Sequence, residues 1–148
     1  MTQRPDLFGA VLCIAPLLDM VRYEHFDHAD RWRTEFGTVE DPQDFHALHA
    51  YSPYHNVQCD VDYPAMLFVT GDQDDRCNHA HVRKMAARLQ KREAHRNPIL
   101  VDYSAERGHS PVLPLSVRVD ALTRRLAFLC RELNVEIPKE TRHEALDR

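Results

Sequence analysis

The stretch that most constrains this chain is Tyr63 to Asn78, which reads YPAMLFVTGDQDDRCN. Its first half, Ala65 to Thr70, is a short apolar run with β-formers, bounded by Pro64 and Gly71. That is the pattern of a buried strand in a parallel sheet. Its second half puts Asp72, Asp74, Asp75 and Arg76 into the turn that follows. Sites in open α/β sheets gather at the carboxyl ends of strands, where a carboxylate is well placed to orient a histidine. The same residues also suit a solvated turn with an aspartate capping the next helix.

Two other runs read as strands: Ala10 to Ala15 (AVLCIA) and Pro98 to Tyr103 (PILVDY). Between them the helical period of 3.6 takes over. Asp41-Pro42 opens a helix over Gln43 to Ala50, since aspartate caps and proline suits the first turn. Asn78 caps a second helix, with Val82, Met85, Ala86 and Leu89 on one face. A third helix is expected from Leu115 to Leu133, with an apolar stripe at Val119, Leu122, Leu126, Leu129, Cys130 and Leu133. The segment Leu17 to Gly37 is long for a loop; such segments are functional or hold a short helix. Ser104 to Pro111 reads as a short polar loop carrying Gly108-His109. Alternating strands and helices predict an α/β fold with about three parallel strands and flanking helices. One domain is expected over residues 1–135, with a polar tail over 136–148.

Composition narrows the function. The 148 residues suffice for a single core, and 19 basic against 23 acidic side chains leave no basic stripe for nucleic acid. No apolar run approaches the length of a membrane span. The N-terminus, MTQRPDLFGA, lacks a signal-peptide pattern, and Cys13, Cys59, Cys77 and Cys130 are irregularly spaced. A reducing, cytoplasmic setting with free thiols is therefore expected.

Asp74 follows the second strand and His109 follows the third, 35 residues later. Turns after neighbouring parallel strands share one rim of the sheet. There a carboxylate can accept the proton of one imidazole nitrogen and leave the other as base. In α/β-hydrolases the chain order is serine, acid, histidine, with the serine on a strained G-x-S-x-G turn. The four glycines, Gly9, Gly37, Gly71 and Gly108, form no such turn, and Ser52, Ser104, Ser110 and Ser116 lie in other contexts. The residues supply an acid and a base without a nucleophile. The ten histidines raise a metal reading through the pairs His25/His28, His46/His49 and His79/His81, but no third ligand stands at a recognised spacing.

Several motifs together are similar to the C-terminal part of the catalytic domain of the prolyl oligopeptidase family of serine peptidases. They are QRPDLFGAV from Gln3, Asp19-Met20, RWRTEFG from Arg31, YSPYHNV from Tyr51, YPAMLFVTGDQDDR from Tyr63, and GHSP from Gly108. The resemblance spans about Gln3 to Leu133. It implies the C-terminal portion of an α/β-hydrolase fold, with the serine elbow, the oxyanion hole and a β-propeller lying upstream of this segment. It implies Asp74 as the triad acid and His109 as the general base. Arg76 matches the arginine that binds the substrate carbonyl, and Trp32 the ring that stacks on the substrate proline. Leu17 and Cys77 fall where the family lines the same pocket.

The expected substrate is a short proline-containing peptide, with no metal or cofactor. Phe36 stands where mammalian-type members have tyrosine, Cys77 where valine is usual, and CNHAHVRKM follows in place of the common text. Three expectations stay open beside this one. The isolated chain is expected to be inactive for want of its serine. It could instead be a non-catalytic piece that self-associates through the exposed edge of its first strand. An oligopeptidase of basic specificity is the nearest rival within the family.

Overall fold

The computed structural model describes residues 1–93, 96–109 and 113–136. In chain order its main elements are strand β1 (Ala10–Ile14), the short helix α1 (Arg33–Phe36), helix α2 (Pro42–Tyr51), strand β2 (Ala65–Gln73), helix α3 (Ala80–Gln90), strand β3 (Ile99–Gly108) and helix α4 (Leu115–Glu132). The three apolar runs form one parallel sheet in the order β1-β2-β3. Leu12 stands beside Leu67, and Phe68 beside Val101.

The central strand is buried on both sides because helices cover both faces. Successive side chains of a strand point to opposite faces. Met66 and Phe68 accordingly pack with Leu18 and with Val82, Met85 and Leu89 of α3. Ala65, Leu67 and Val69 pack on the other side against Phe128 of α4. Burying a side chain of the size of Phe68 contributes roughly 2 kcal/mol. The apolar continuity of Ala65 to Thr70 thus follows from its place between two helical layers.

The cap expected at α2 is present: the Asp41 carboxylate accepts the N–H groups of Gln43 at 2.8 Å and Asp44 at 3.1 Å. At α3 the helix starts at Ala80, with Asn78 Oδ1 accepting the Ala80 N–H at 2.8 Å. Leu17 to Gly37 holds 3-10 turns at Tyr23–His25 and Ala29–Trp32, followed by α1. A small second core fixes it: Met20, Tyr23, Ala29 and Leu48, with Leu17, Trp32 and Phe36 packed against them. Glu24 ties the segment from below, accepting the Val39 N–H at 2.9 Å and pairing with Arg33.

Two expectations are corrected. The sequence pattern ends the third strand at Tyr103 and predicts a loop from Ser104, yet β3 runs to Gly108 and β2 to Gln73. Ser104 and Gly108 stay paired with Gly71 and Gln73 across an irregularity in register. Backbone pairing holds this polar stretch, and Arg107 stitches it by donating to Thr70 O at 3.1 Å and Asp102 O at 2.8 Å. The close approach requires Gly71, where a Cβ would lie 2.4 Å from the Arg107 carbonyl oxygen. The second correction concerns α4. The face turned to the sheet carries Ala121 and Phe128, while Val119, Leu122, Leu126 and Leu133 of the apolar stripe are exposed. Three strands are too narrow to cover both apolar sides of this helix.

β1 pairs with β2 alone, so its other edge is open among the described residues. Most of the expected tail, residues 137–148, lies outside the described residues. Among the described residues no helix is long and apolar enough to cross a membrane.

Candidate active site

Gln73 and Gly108 are register partners at the carboxyl ends of β2 and β3. The next residue on each strand is Asp74 and His109, so sheet pairing alone brings them to one rim. His109 Nδ1 lies 3.1 Å from both carboxylate oxygens of Asp74. Asp74 is 3% exposed. Its Oδ1 also accepts the backbone N–H groups of Arg76 at 3.1 Å and Cys77 at 2.8 Å. A buried carboxylate needs such donors, because burying it unpaired would cost several kcal/mol. The turn therefore fixes the carboxylate, and the carboxylate fixes the ring.

The His109 side chain remains 26% exposed. With Nδ1 occupied by Asp74, its proton sits there and Nε2 is the nitrogen left to take a proton. Such an arrangement has the geometry to serve as the acid–base half of a nucleophilic triad.

The other expected site residues fall into two groups. Arg76 and Cys77 sit in the acid turn itself. The Arg76 side chain is exposed and makes no ion pair or hydrogen bond among the described residues, so its guanidinium is available to a ligand. Cys77 is buried, and burial together with the Asp74 carboxylate pushes its thiol up to about 11. Leu17 and Trp32 belong instead to the second apolar cluster, where the Trp32 ring meets Phe36 edge-on at 6.3 Å. The segment that carries this cluster is tied to the start of α3: Asn78 Nδ2 donates to Asp27 Oδ2 at 2.6 Å, and Phe26 stacks edge-on against His81 at 4.9 Å.

The described serines are unsuited as nucleophiles. Ser52 is fully buried, with Oγ accepting the Met20 N–H at 3.0 Å and lying 2.9 Å from His55 Nδ1. Ser104 is in β3 and Ser116 on α4, while Ser110 lies outside the described residues.

The sequence reading missed the ties beneath this site. Buried Asp19 pairs with Lys84 and lies near Arg22 and His55, while His81 Nδ1 accepts the Asp19 N–H at 3.1 Å. The one signal was the polarity of Asp19 within the apolar run from Leu17 to Val21.

Comparison with known proteins bears on the family of the chain. A family model described as the prolyl oligopeptidase family matches residues 1–136. The chain is 43% identical over 109 residues to a prolyl oligopeptidase, dbiP, of Dendrothele bispora, covering 72% of this chain and 15% of that protein. It is 40% identical over 110 residues to a prolyl endopeptidase of Elizabethkingia miricola, covering 74% and 16%. A structure solved in a study of two prolyl endopeptidases and their inter-domain dynamics superposes with a TM-score of 0.89 at 43% identity. It covers 92% of this chain and 20% of that one. The chain thus spans less than a quarter of the length of these relatives. With a family match running from residue 1 to residue 136 and the acid and histidine on one strand-end rim, the chain belongs to the prolyl oligopeptidase family.

Proposed function

We propose that this chain carries the acid, the base and the proline-binding wall of a serine peptidase that cleaves short peptides after proline. The serine comes from polypeptide outside these 148 residues. The observation that supports this most is the Asp74–His109 pair at 3.1 Å, with Nε2 making no hydrogen bond among the described residues. In that enzyme His109 takes the proton of the serine hydroxyl as it attacks the scissile carbonyl, and returns it to the leaving amine. Asp74 holds the ring and stabilises its charged form. Arg76 donates to a backbone carbonyl of the peptide. Trp32 offers a flat apolar face to the proline ring, with Leu17 packed in the same cluster and Cys77 contributing from the acid turn.

Two assays test this. The purified chain alone is expected not to cleave a proline-containing chromogenic peptide. Cleavage by it that disappears in His109→Ala would show that the nucleophile is within the chain. The longer enzyme containing this chain is expected to cleave after proline in preference to arginine, and a preference for arginine would favour the basic-specificity alternative.

The open edge of β1 and the exposed stripe of α4 support a second reading, in which the isolated chain associates with copies of itself. Light scattering is expected to show dimers or larger species at high concentration. A monodisperse monomer would contradict it.

A further inference from the structure

Cys77 has a role beyond lining a pocket. Asp74, Cys77 and His109 each offer a donor atom, and these atoms lie within 4.8 Å of one another. Among the described residues this is the one such group of three. The three positions are held by the backbone. Asp74 and His109 are fixed by the register of β2 and β3, and the Cys77 backbone is fixed by its N–H bond to Asp74 Oδ1 at 2.8 Å. We propose that Asp74, Cys77 and His109 form a binding site for a zinc-class thiophilic divalent cation, whose occupancy removes the imidazole from proton transfer.

The donor set selects the ion. Sulfur, nitrogen and one carboxylate oxygen are ligands of zinc and cadmium, whereas calcium and magnesium take oxygen. Zinc–ligand bonds of about 2.0–2.3 Å place donors roughly 3.5 Å apart in a tetrahedron. His109 Nδ1 and Asp74 are already at 3.1 Å, so only the thiol must swing inward, by about 1 Å. The partly exposed face of His109 gives an entry path and leaves the fourth position to water. On binding, a sulfur–metal bond replaces the S–H bond and that proton passes to solvent. The Nδ1 proton passes to solvent and Nε2 takes one up in its place, so the Nδ1 lone pair goes to the cation and the neutral ring carries its one proton on Nε2. A ring protonated on Nε2 cannot accept the serine proton. This last consequence rests on the peptidase reading; the binding does not.

The chain carrying Cys59→Ser, which removes the exposed thiol, is titrated with cadmium and followed by the ultraviolet thiolate charge-transfer band. The expected result is one equivalent bound. A further Cys77→Val change should remove the band and weaken binding by more than about 100-fold, beyond the effect of losing an outer partner. Valine retains an apolar side chain at this buried position. Zinc should also shift the His109 ring nitrogen signals at one equivalent. A band that persists in Cys77→Val, no band at all, or unmoved His109 signals would overturn the site. Inhibition of peptide cleavage by zinc, relieved by Cys77→Val, is read separately in the longer enzyme. Insensitivity there, with binding intact, would overturn only the proposed effect on the base.

Discussion

Replacing Asp74 with asparagine is expected to lower kcat about 10⁴-fold in the longer peptidase proposed above, with KM changed far less. The reasoning is one of tautomers. Asparagine keeps an oxygen where Asp74 Oδ1 accepts the N–H groups of Arg76 and Cys77. The turn therefore keeps its shape. The amide nitrogen then faces His109 Nδ1, where the structure has a carboxylate oxygen at 3.1 Å. Oδ1, also 3.1 Å from Nδ1, is already taken up by two backbone N–H groups, and two donors cannot face each other, so Nδ1 becomes the acceptor and the ring proton moves to Nε2. The base is lost while its position is preserved. Melting temperature should move by only a few degrees, since the neutral pair costs about 1 kcal/mol. A fall in kcat of less than about tenfold, with the protein folded, would show that the pair does not perform the proton transfer.

What could be read from the sequence follows the strength of its local signals. Ala65 to Thr70 was legible because burial on both faces leaves an unbroken apolar run. Asp74 and His109 were legible because each lies in the segment that follows an expected strand, and parallel neighbours share a rim. The extension of β3 was hidden because Ser104 to Gly108 is held by backbone pairing and by Arg107, neither of which leaves a hydrophobic pattern. The exposed stripe of α4 misled for a different reason. Periodicity shows that a helix has an apolar face, but not whether the sheet beneath is wide enough to cover it. The Asp19 network was illegible because its members are scattered from Asp19 to Lys84 and only the fold assembles them.

That network makes the fold sensitive to acid. His81 is fully buried in the first turn of α3, and its ring is held neutral: burial pushes its pKa down from 6.5 to about 4. Asp19 opposes this shift, and Lys84 adds to it. The adjacent helix N-terminus also disfavours a cation there. Nδ1 accepts the Asp19 N–H, so protonating it would set two donors against each other. Between pH 6.5 and about 4 the unfolded chain binds a proton at His81 that the folded chain refuses. Stability therefore falls as pH falls through this window and is intact above it. The full span corresponds to about 3 kcal/mol, and the step from pH 7 to pH 5 to about 2 kcal/mol. His55, also pushed down by burial, adds loss of the same sign, whereas Glu24, held below its usual range, weakens the fold only at lower pH. Urea unfolding at pH 7 and pH 5 measures the loss. His81→Asn retains an acceptor for the Asp19 N–H without a titrating ring, so it should be less stable at pH 7 yet lose about 2 kcal/mol less on acidification. An equal loss in the variant would place the acid sensitivity elsewhere.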